Sequence, residues 1–460
     1  MLTAVDNLQL EIEANIVNRL ERLPITSYQN KLFSIIATAW LADQVNFALL
    51  TFLIVPISLY LHLTAIQIGF LASMTFVGQG LGSFLSGWAA DRWGRKVLFQ
   101  WTMVIWGVGS LLAAASWSLS SLMIFRFIIG LGVGGEAPIA QAMISELAPS
   151  RKRGQYIAWF EGFGLTATVL AGLISWFLVP MFPHNGWRVI FLCVGLLAAL
   201  VFWVRRSLPE SPRWLAEQGK ISQADNVLNG IERNTEKSYG RSLPTPNAII
   251  SVTEHVSGHP FKTLWQGIYL KRTVMLAGLW FFALLGFFGL SSWLTTLLHA
   301  QGYSVVSSIG FVTLLFIGGI PGFLSAGYFI EKIGRKWSLA LFLLGGAIMT
   351  FLYGHPVPGF LFVEGFAMQF FFGGMWSTLY AYTPELYPTR ARSTGTGLAA
   401  LFGRVGAIAG PIIVGFMLHG MKVVESSVFT LGAACFIAAL ILVSMLGPET
   451  RGKVVETISQ

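Results

Sequence analysis

Five ionisable side chains lie inside long apolar runs of this 460-residue chain: Asp43, Arg126, Glu136, Glu161 and Arg404. A charge in hydrocarbon costs about 2.5–3.5 kcal/mol or more, so each needs a partner or a function. At ~1.5 Å rise per residue, Asp43 lies roughly 18 Å into its run and Arg126 roughly 8 Å into its own, entered from the other side. In a ~30 Å layer those depths differ by only a few ångströms, so an Asp43–Arg126 pair is geometrically possible. Such a pair makes a proton site, because the proton affinity of the carboxyl depends on whether the guanidinium stands beside it. The alternative is a permanent structural ion pair. Glu136 and Glu161 both fall roughly 7–9 Å from the face on which the N-terminus lies. They are placed to share a proton or to meet basic loop residues; the alternative is a pair of helix-end carboxylates satisfied by loop arginines.

Arg404 sits about 16 Å into its run, near the midplane. A guanidinium facing a water-filled cavity forks onto a carboxylate through two hydrogen bonds. The competing role is interhelical bracing. Aromatic residues make up 14% of the chain, so most are core or lipid-facing. Trp40, Trp280, Trp376 and Tyr380 are the better candidates for a binding wall near Arg404, because their runs would line a cavity. A flat aromatic ring can stack among them with its carboxylate on Arg404, and Gln44 and Asn46 can hydrogen-bond a ring nitrogen. Glu364 reads as a gate or helix-end residue. His62, His184, His299 and His419 are too scattered for a metal site, and no cofactor motif is present.

The elements that position these residues follow from composition. Hydrophobic residues are 54% and charged residues 11%, and the mean hydropathy is +0.67. Soluble domains carry roughly a quarter charged residues, so the chain is expected to be an all-α polytopic membrane protein. The apolar runs do not alternate, which excludes a β-barrel. Twelve spans are expected, at about 31–60, 66–90, 97–118, 121–146, 155–180 and 187–205, then 273–298, 304–330, 337–354, 358–383, 393–418 and 424–446. These define an amphipathic N-terminal segment (1–30), a first bundle (31–205), a polar central loop (206–270), a second bundle (271–446) and a tail (447–460). Residues 7–22 read as an amphipathic helix, solvated or lying on the membrane surface. Around Trp214, Leu215, Ala224, Leu228 and Ile231 the central loop shows helix-like apolar spacing, so short helices are expected before a linker at 239–258. Cys193 and Cys435 read as small core residues, and residues 1–30 carry no signal peptide.

The net charge of +9 does not point to nucleic acid. The positives sit in short loops: Arg92, Arg95 and Lys96; Arg151, Lys152 and Arg153; Lys332, Arg335 and Lys336; Arg390 and Arg392; Arg451 and Lys453. Little but Arg188 and Lys422 falls on the other side. Both termini and the central loop are therefore expected in the cytoplasm. The segment from Gly87 to Lys96 recurs from Gly327 to Lys336, with its acid moving from Asp91 to Glu331, an offset of 240. Glu146…Arg153 returns as Glu385…Arg392, and Pro209-Glu210 as Pro448-Glu449, both at 239. Gly134-Gly135 and Phe163-Gly164 return at the same offset. The chain is thus two homologous six-helix bundles, an architecture that places a site between repeats near mid-membrane. Arg404 maps onto Leu165, so the repeat does not account for it.

These residues resemble the major facilitator superfamily. The acid–Arg/Lys–x–Gly–Arg–Lys loops look like its signature loop, and Arg126-xxx-Gly130, the Glu-x6-Arg loops, PESPR and PETRG look like its sugar-porter-related branch. The stretch from Tyr380 to Gly395, Phe402-Gly-Arg-Val-Gly, Ala39–Asp43 and Gly134–Pro138 are similar to bacterial niacin (nicotinate) transporters. At Asn46 the chain departs from that pattern, which carries a second acid there. The resemblance implies that Asp43 and Arg126 couple protons, that Arg404 takes an anionic substrate, and that access alternates by a rocker switch. It thus points to a monomeric bacterial plasma-membrane importer of nicotinate or a similar organic anion, driven by proton symport. Another aromatic acid, a sugar, an organic cation, or a non-transporting sensor are the alternatives; no nucleophile–base or metal constellation suggests an enzyme. On this reading Asp91, Arg95, Glu146 and Arg153, with Glu331, Arg335, Glu385 and Arg392, form a conformational latch. Asp91 is expected to cap a neighbouring helix, Arg95 to pair with Glu146, and these contacts to break when the cytoplasmic side opens.

Overall fold

The structure is a computed structural model that describes residues 15–147, 150–245, 260–388, 391–420 and 425–451, with the side chains of 150–155, 158, 205, 260 and 420 outside that description. Most of the N-terminal segment (1–14), most of the linker, Arg390, Lys422, the tail from 452 and the Arg153 side chain therefore lie outside the described residues. No strand occurs among those described. A backbone in hydrocarbon must satisfy its own hydrogen bonds, which helices do.

A short helix, α1, covers 15–21. The first bundle contains α2 (Ser27–Leu61), α3 (Ala65–Trp93), α4 (Arg95–Ala114), α5 (Leu119–Leu147), α6 (Ser150–Met181), α7 (Gly186–Leu197) and α8 (Leu200–Ser207). Then come α9 (Pro212–Glu217), α10 (Ile221–Tyr239) and α11 (Pro260–Leu264). The second bundle contains α12 (Gly267–Ser291), α13 (Leu294–Ala300), α14 (Val305–Ile317), α15 (Gly319–Ile333), α16 (Arg335–Gly354), α17 (Leu361–Glu385), α18 (Arg392–Gly420) and α19 (Ser426–Leu446). Capping boxes start α2 and α3: Thr26 with Gln29, and Thr64 with Gln67.

Among the described residues eleven helices are long and apolar enough to span a membrane, counting α7–α8 and α14–α15 as one span each. The twelfth expected span is α17, whose apolar character is diluted by Glu364, Gln369 and its glycines. It packs between α15 and α16 as a full member of the second bundle.

In the first bundle α3 packs on α5, α4 on α5 and α7, and α2 on α6; in the second, α12 packs on α18 and α19, and α17 on α15 and α16. The bundles meet along α3–α18, α6–α14 and α2–α13. On the face opposite the signature loops they are fastened: Thr295 Oγ1 donates to the Thr51 carbonyl at 2.6 Å, and Ser73 Oγ to the Ile408 carbonyl at 2.7 Å.

Two expectations need correction. Helix α1 is not a free or membrane-surface helix over its described part. Ile16, Leu20 and Leu23 are buried in a cluster with Trp214, Leu215, Ala224, Leu228 and Ile231. Arg19 joins Asp225 at 2.6 Å and Glu232 at 2.7 Å, and Arg22 joins Glu232 at 2.6 Å. The apolar stripe of the central loop thus finds its partner in the N-terminal segment. Cys193 is exposed and only Cys435 is buried; both are free thiols.

Candidate transport site

In the first bundle the expected Asp43–Arg126 pair is not formed. Both side chains are buried, Asp43 at 0% and Arg126 at 1% exposure. The guanidinium turns to α3 and to carbonyls of α2: Nε donates to Thr75 Oγ1 at 3.0 Å, and Nη1 and Nη2 to the carbonyls of Asn46 and Phe47 at 3.5 and 3.4 Å. Asp43 accepts only a 3.3 Å bond from Gln44 Nε2, and its Oδ1 has no partner. Glu136 is also fully buried. One oxygen of Glu136 accepts from Trp106 Nε1 at 2.9 Å and the other has no partner. Both amide atoms of the buried Asn46 side chain are unpartnered as well. Asp43, Asn46 and Glu136 therefore bring hydrogen-bonding groups into the bundle that the protein leaves unsatisfied.

Glu161 does not join Glu136. It accepts from Gln141 Nε2 at 2.6 Å, and neither carboxylate meets a signature-loop residue through a described hydrogen bond. Trp40 stacks on Phe160 of α6 with centroids 4.7 Å apart, so it belongs to the first bundle rather than to the aromatic wall expected around Arg404.

That wall does form from the other three residues. Trp376 and Tyr380 stack at 5.5 Å, and Trp280 meets Tyr380 edge-on at 5.6 Å and Trp376 at 6.4 Å. Phe287 and Phe288 extend it past Trp376. Trp280 is fixed by donating Nε1 to Thr383 Oγ1 at 3.0 Å. The charges of Arg404 on α18 and Glu161 on α6 both reach Tyr380. Even so, Tyr380 keeps 42% exposure, so the wall borders an accessible space. Arg404 makes no ion pair among the described residues; its Nη1 donates to Gln79 Oε1 on α3. Sequence reasoning passed over Gln79, Trp106 and Thr75, since an amide, an indole or a hydroxyl in an apolar run gives no charge signal.

The signature loops are joints within each bundle. Arg95 binds Asp91 at 3.0 Å and Glu146 at 3.4 Å, and Arg335 binds Glu331 at 3.5 Å and Glu385 at 3.2 Å. The carboxylate of Asp91 is 75% exposed and caps no helix among the described residues. Glu210 caps α4 instead, through the Lys96 N–H at 3.1 Å, and Glu449 caps α16 through the Arg335 N–H at 3.0 Å. The repeat of PESPR in PETRG was the signal for this pair. The loops hold these contacts in this structure; Arg392 keeps an interaction of its own, although its Nε is buried without a hydrogen-bond partner.

The family described as sugar (and other) transporter matches residues 26–460. The chain is 34% identical to the "Niacin transporter NiaP" of Acinetobacter baylyi, covering 96% of this chain and 99% of that one. It is 34% identical to the "Putative niacin/nicotinamide transporter NiaP" of Bacillus subtilis, covering 92% and 97%. The inward-open structure of the xylose transporter XylE from E. coli superposes with a TM-score of 0.73 at 18% identity, over 94% of this chain and 99% of that one. With its duplicated bundles and twin loops, the chain belongs to the sugar (and other) transporter family of the major facilitator superfamily, and it is a multi-pass membrane transporter rather than an enzyme.

Proposed function

We propose that this transporter imports a small aromatic monocarboxylate, nicotinate foremost, across a bacterial plasma membrane by proton symport. The observation that carries the reading is Arg404: a mid-membrane guanidinium with no carboxylate among the described residues, set beside Trp280, Trp376 and Tyr380. A planar ring can stack on that wall while its carboxylate takes the guanidinium through paired, charge-assisted bonds. The relatives named as niacin transporters support the same class of ligand.

The proton sites are Asp43 and Glu136, buried carboxyls with unpartnered oxygens; Arg126 orders the α2 backbone beside them. Glu161, whose charge reaches Tyr380 of the substrate wall, is the third carboxyl of the proton path. Gln44 and Asn46 supply hydrogen bonds on the first-bundle side of the substrate path. The basic loops orient the protein with both termini and the central loop in the cytoplasm, and the bundles rock about the site as a monomer. The Asp91, Arg95, Glu146 and Arg153 set, with Glu331, Arg335, Glu385 and Arg392, stiffens each bundle so that it moves as a unit. A hydroxylated substrate is the second reading, since Asn46 and Gln369 carry buried, unpartnered amide atoms.

The test is equilibrium binding of nicotinate, nicotinamide and xylose to the purified protein. Nicotinate is expected to bind, and Arg404→Ala to weaken that binding roughly ten- to a hundredfold. Binding of nicotinamide as tight as nicotinate would refute the carboxylate role, and binding of xylose alone would favour the second reading.

A further inference from the structure

Three residues on one face of α3, each three positions from the last, reach across to the second bundle. Ser73 Oγ donates to the Ile408 carbonyl at 2.7 Å, the Phe76 ring lies 4.6 Å from that of Phe288, and Gln79 Oε1 accepts from Arg404. Spacing of i, i+3 and i+6 keeps the three on one side of the helix. Arg404 and Ile408 stand one turn apart on α18, so the contacts run as successive rungs from the closed face toward the midplane. Gln79 and Arg404 form the innermost rung, at the edge of the accessible space by Tyr380.

Gln79 is held in place for this role. Its side chain is in a residue only 6% exposed. Its carbonyl accepts from Ser83 Oγ at 2.9 Å, and the same hydroxyl also donates to the Gly134 carbonyl at 2.7 Å. A Cβ at position 134 would come within 2.6 Å of Gln79 Cα, so the glycine lets α5 press against the α3 backbone there. The amide is thus aimed at Arg404 from a fixed backbone.

We infer that Gln79 is the resident occupant of the carboxylate site: its amide oxygen holds Arg404 while the outer face is closed, and a substrate carboxylate that takes Arg404 displaces it and so releases the innermost tie between the bundles. This rests on the reading of Arg404 as the carboxylate site. A neutral amide offers the guanidinium one oxygen acceptor, whereas a carboxylate offers two and a full charge. The exchange favours the substrate and frees α3 from α18 in the same step. Ligand binding is thereby linked to opening of the far face, because the ligand interacts differently with the two states. An uncharged ring lacks the group that wins this exchange, so Gln79 also acts as a filter against amides such as nicotinamide.

The full-length protein with C193S and C435S, spin-labelled at H184C and Q301C on the closed face, supports both readouts: label separation and nicotinate binding. In the parent, nicotinate is expected to widen the label distance and nicotinamide to leave it unchanged. Gln79→Ala is expected to widen it without ligand and to bind nicotinate several-fold tighter, since the competitor is gone. Gln79→Glu places a tethered carboxylate on Arg404; it is expected to weaken nicotinate binding roughly tenfold or more and to stay closed. If Arg404→Ala loses binding while Gln79→Ala matches the parent in affinity and label distance, the displacement is wrong and the carboxylate reading survives. If Arg404→Ala binds nicotinate like the parent, the carboxylate reading falls and this inference with it.

Discussion

In the first bundle Arg95 meets Glu146 at 3.4 Å and Glu210 caps α4; in the second, Arg335 meets Glu385 at 3.2 Å and Glu449 caps α16. Gly94 and Gly334, at φ of 101° and 94°, turn the chain at the same point in both copies. At mid-membrane the likeness ends. The first bundle holds Asp43, Glu136 and Arg126, with unsatisfied carboxyl oxygens. The second holds Arg404 and a wall of stacked rings, where its repeat partner in the first bundle is Leu165. Duplication preserved the joints at the signature loops, and on the function proposed above divergence divided the chemistry, with proton handling centred in the first bundle and the carboxylate site in the second.

The strongest way to break that division is Arg404→Ala. Removing the charged partner of a buried carboxylate is expected to lower nicotinate affinity roughly ten- to a hundredfold, read by calorimetry. Binding within twofold of the parent would remove the second bundle's claim. Next in size is Asp43→Asn in proteoliposomes. Uptake driven by an inward proton gradient should be lost while nicotinate exchange persists, and retained accumulation would move the coupling site elsewhere.

The joints should respond alike in the two copies. A Cβ at position 94 would crowd the Glu210 carboxylate, and at position 334 that of Glu449, in a backbone conformation that side chains rarely adopt. Gly94→Ala and Gly334→Ala are each expected to cost about 1–3 kcal/mol, seen as similar drops in melting temperature. A large drop in one copy alone would show that the joints are not equivalent.

The smallest effect belongs to the brace that α1 and the central loop form. Burial alone would raise the Glu232 carboxyl, but hydrogen bonds from Arg19 and Arg22 outweigh it and hold it below its ordinary range. Arg19 likewise lowers Asp225. A depressed carboxyl stabilises the fold above its unfolded value and loses that contribution as pH falls through the lower folded one. The protection factors of the amides over 15–21 are therefore expected to be high at neutral pH and to fall below about pH 4. Protection unchanged down to pH 3 would mean that the apolar cluster alone holds α1.

The duplicated joints were legible in the sequence because loops with fixed chemical order repeat visibly at a fixed offset. The in-membrane charges were legible as positions, since a charge stands out in an apolar run. Their partners were not. Depth along a helix fixes height but not the direction a side chain takes around the axis. Asp43 and Arg126 share a height, yet the guanidinium faces Thr75 and the α2 carbonyls. Gln79 was invisible for another reason: an amide matters there only because α18 brings Arg404 to it from 325 residues away. The fate of α1 required knowing that Trp214 and Leu228 lacked a cover.

The division of labour is tested most directly by comparing Asp43→Asn and Arg404→Ala in one proteoliposome preparation, measuring nicotinate exchange and proton-driven accumulation together. Asp43→Asn is expected to exchange nicotinate and fail to accumulate it, and Arg404→Ala to do neither. If Arg404→Ala accumulates nicotinate, or if Asp43→Asn loses exchange as completely as accumulation, substrate and proton chemistry are not divided between the bundles.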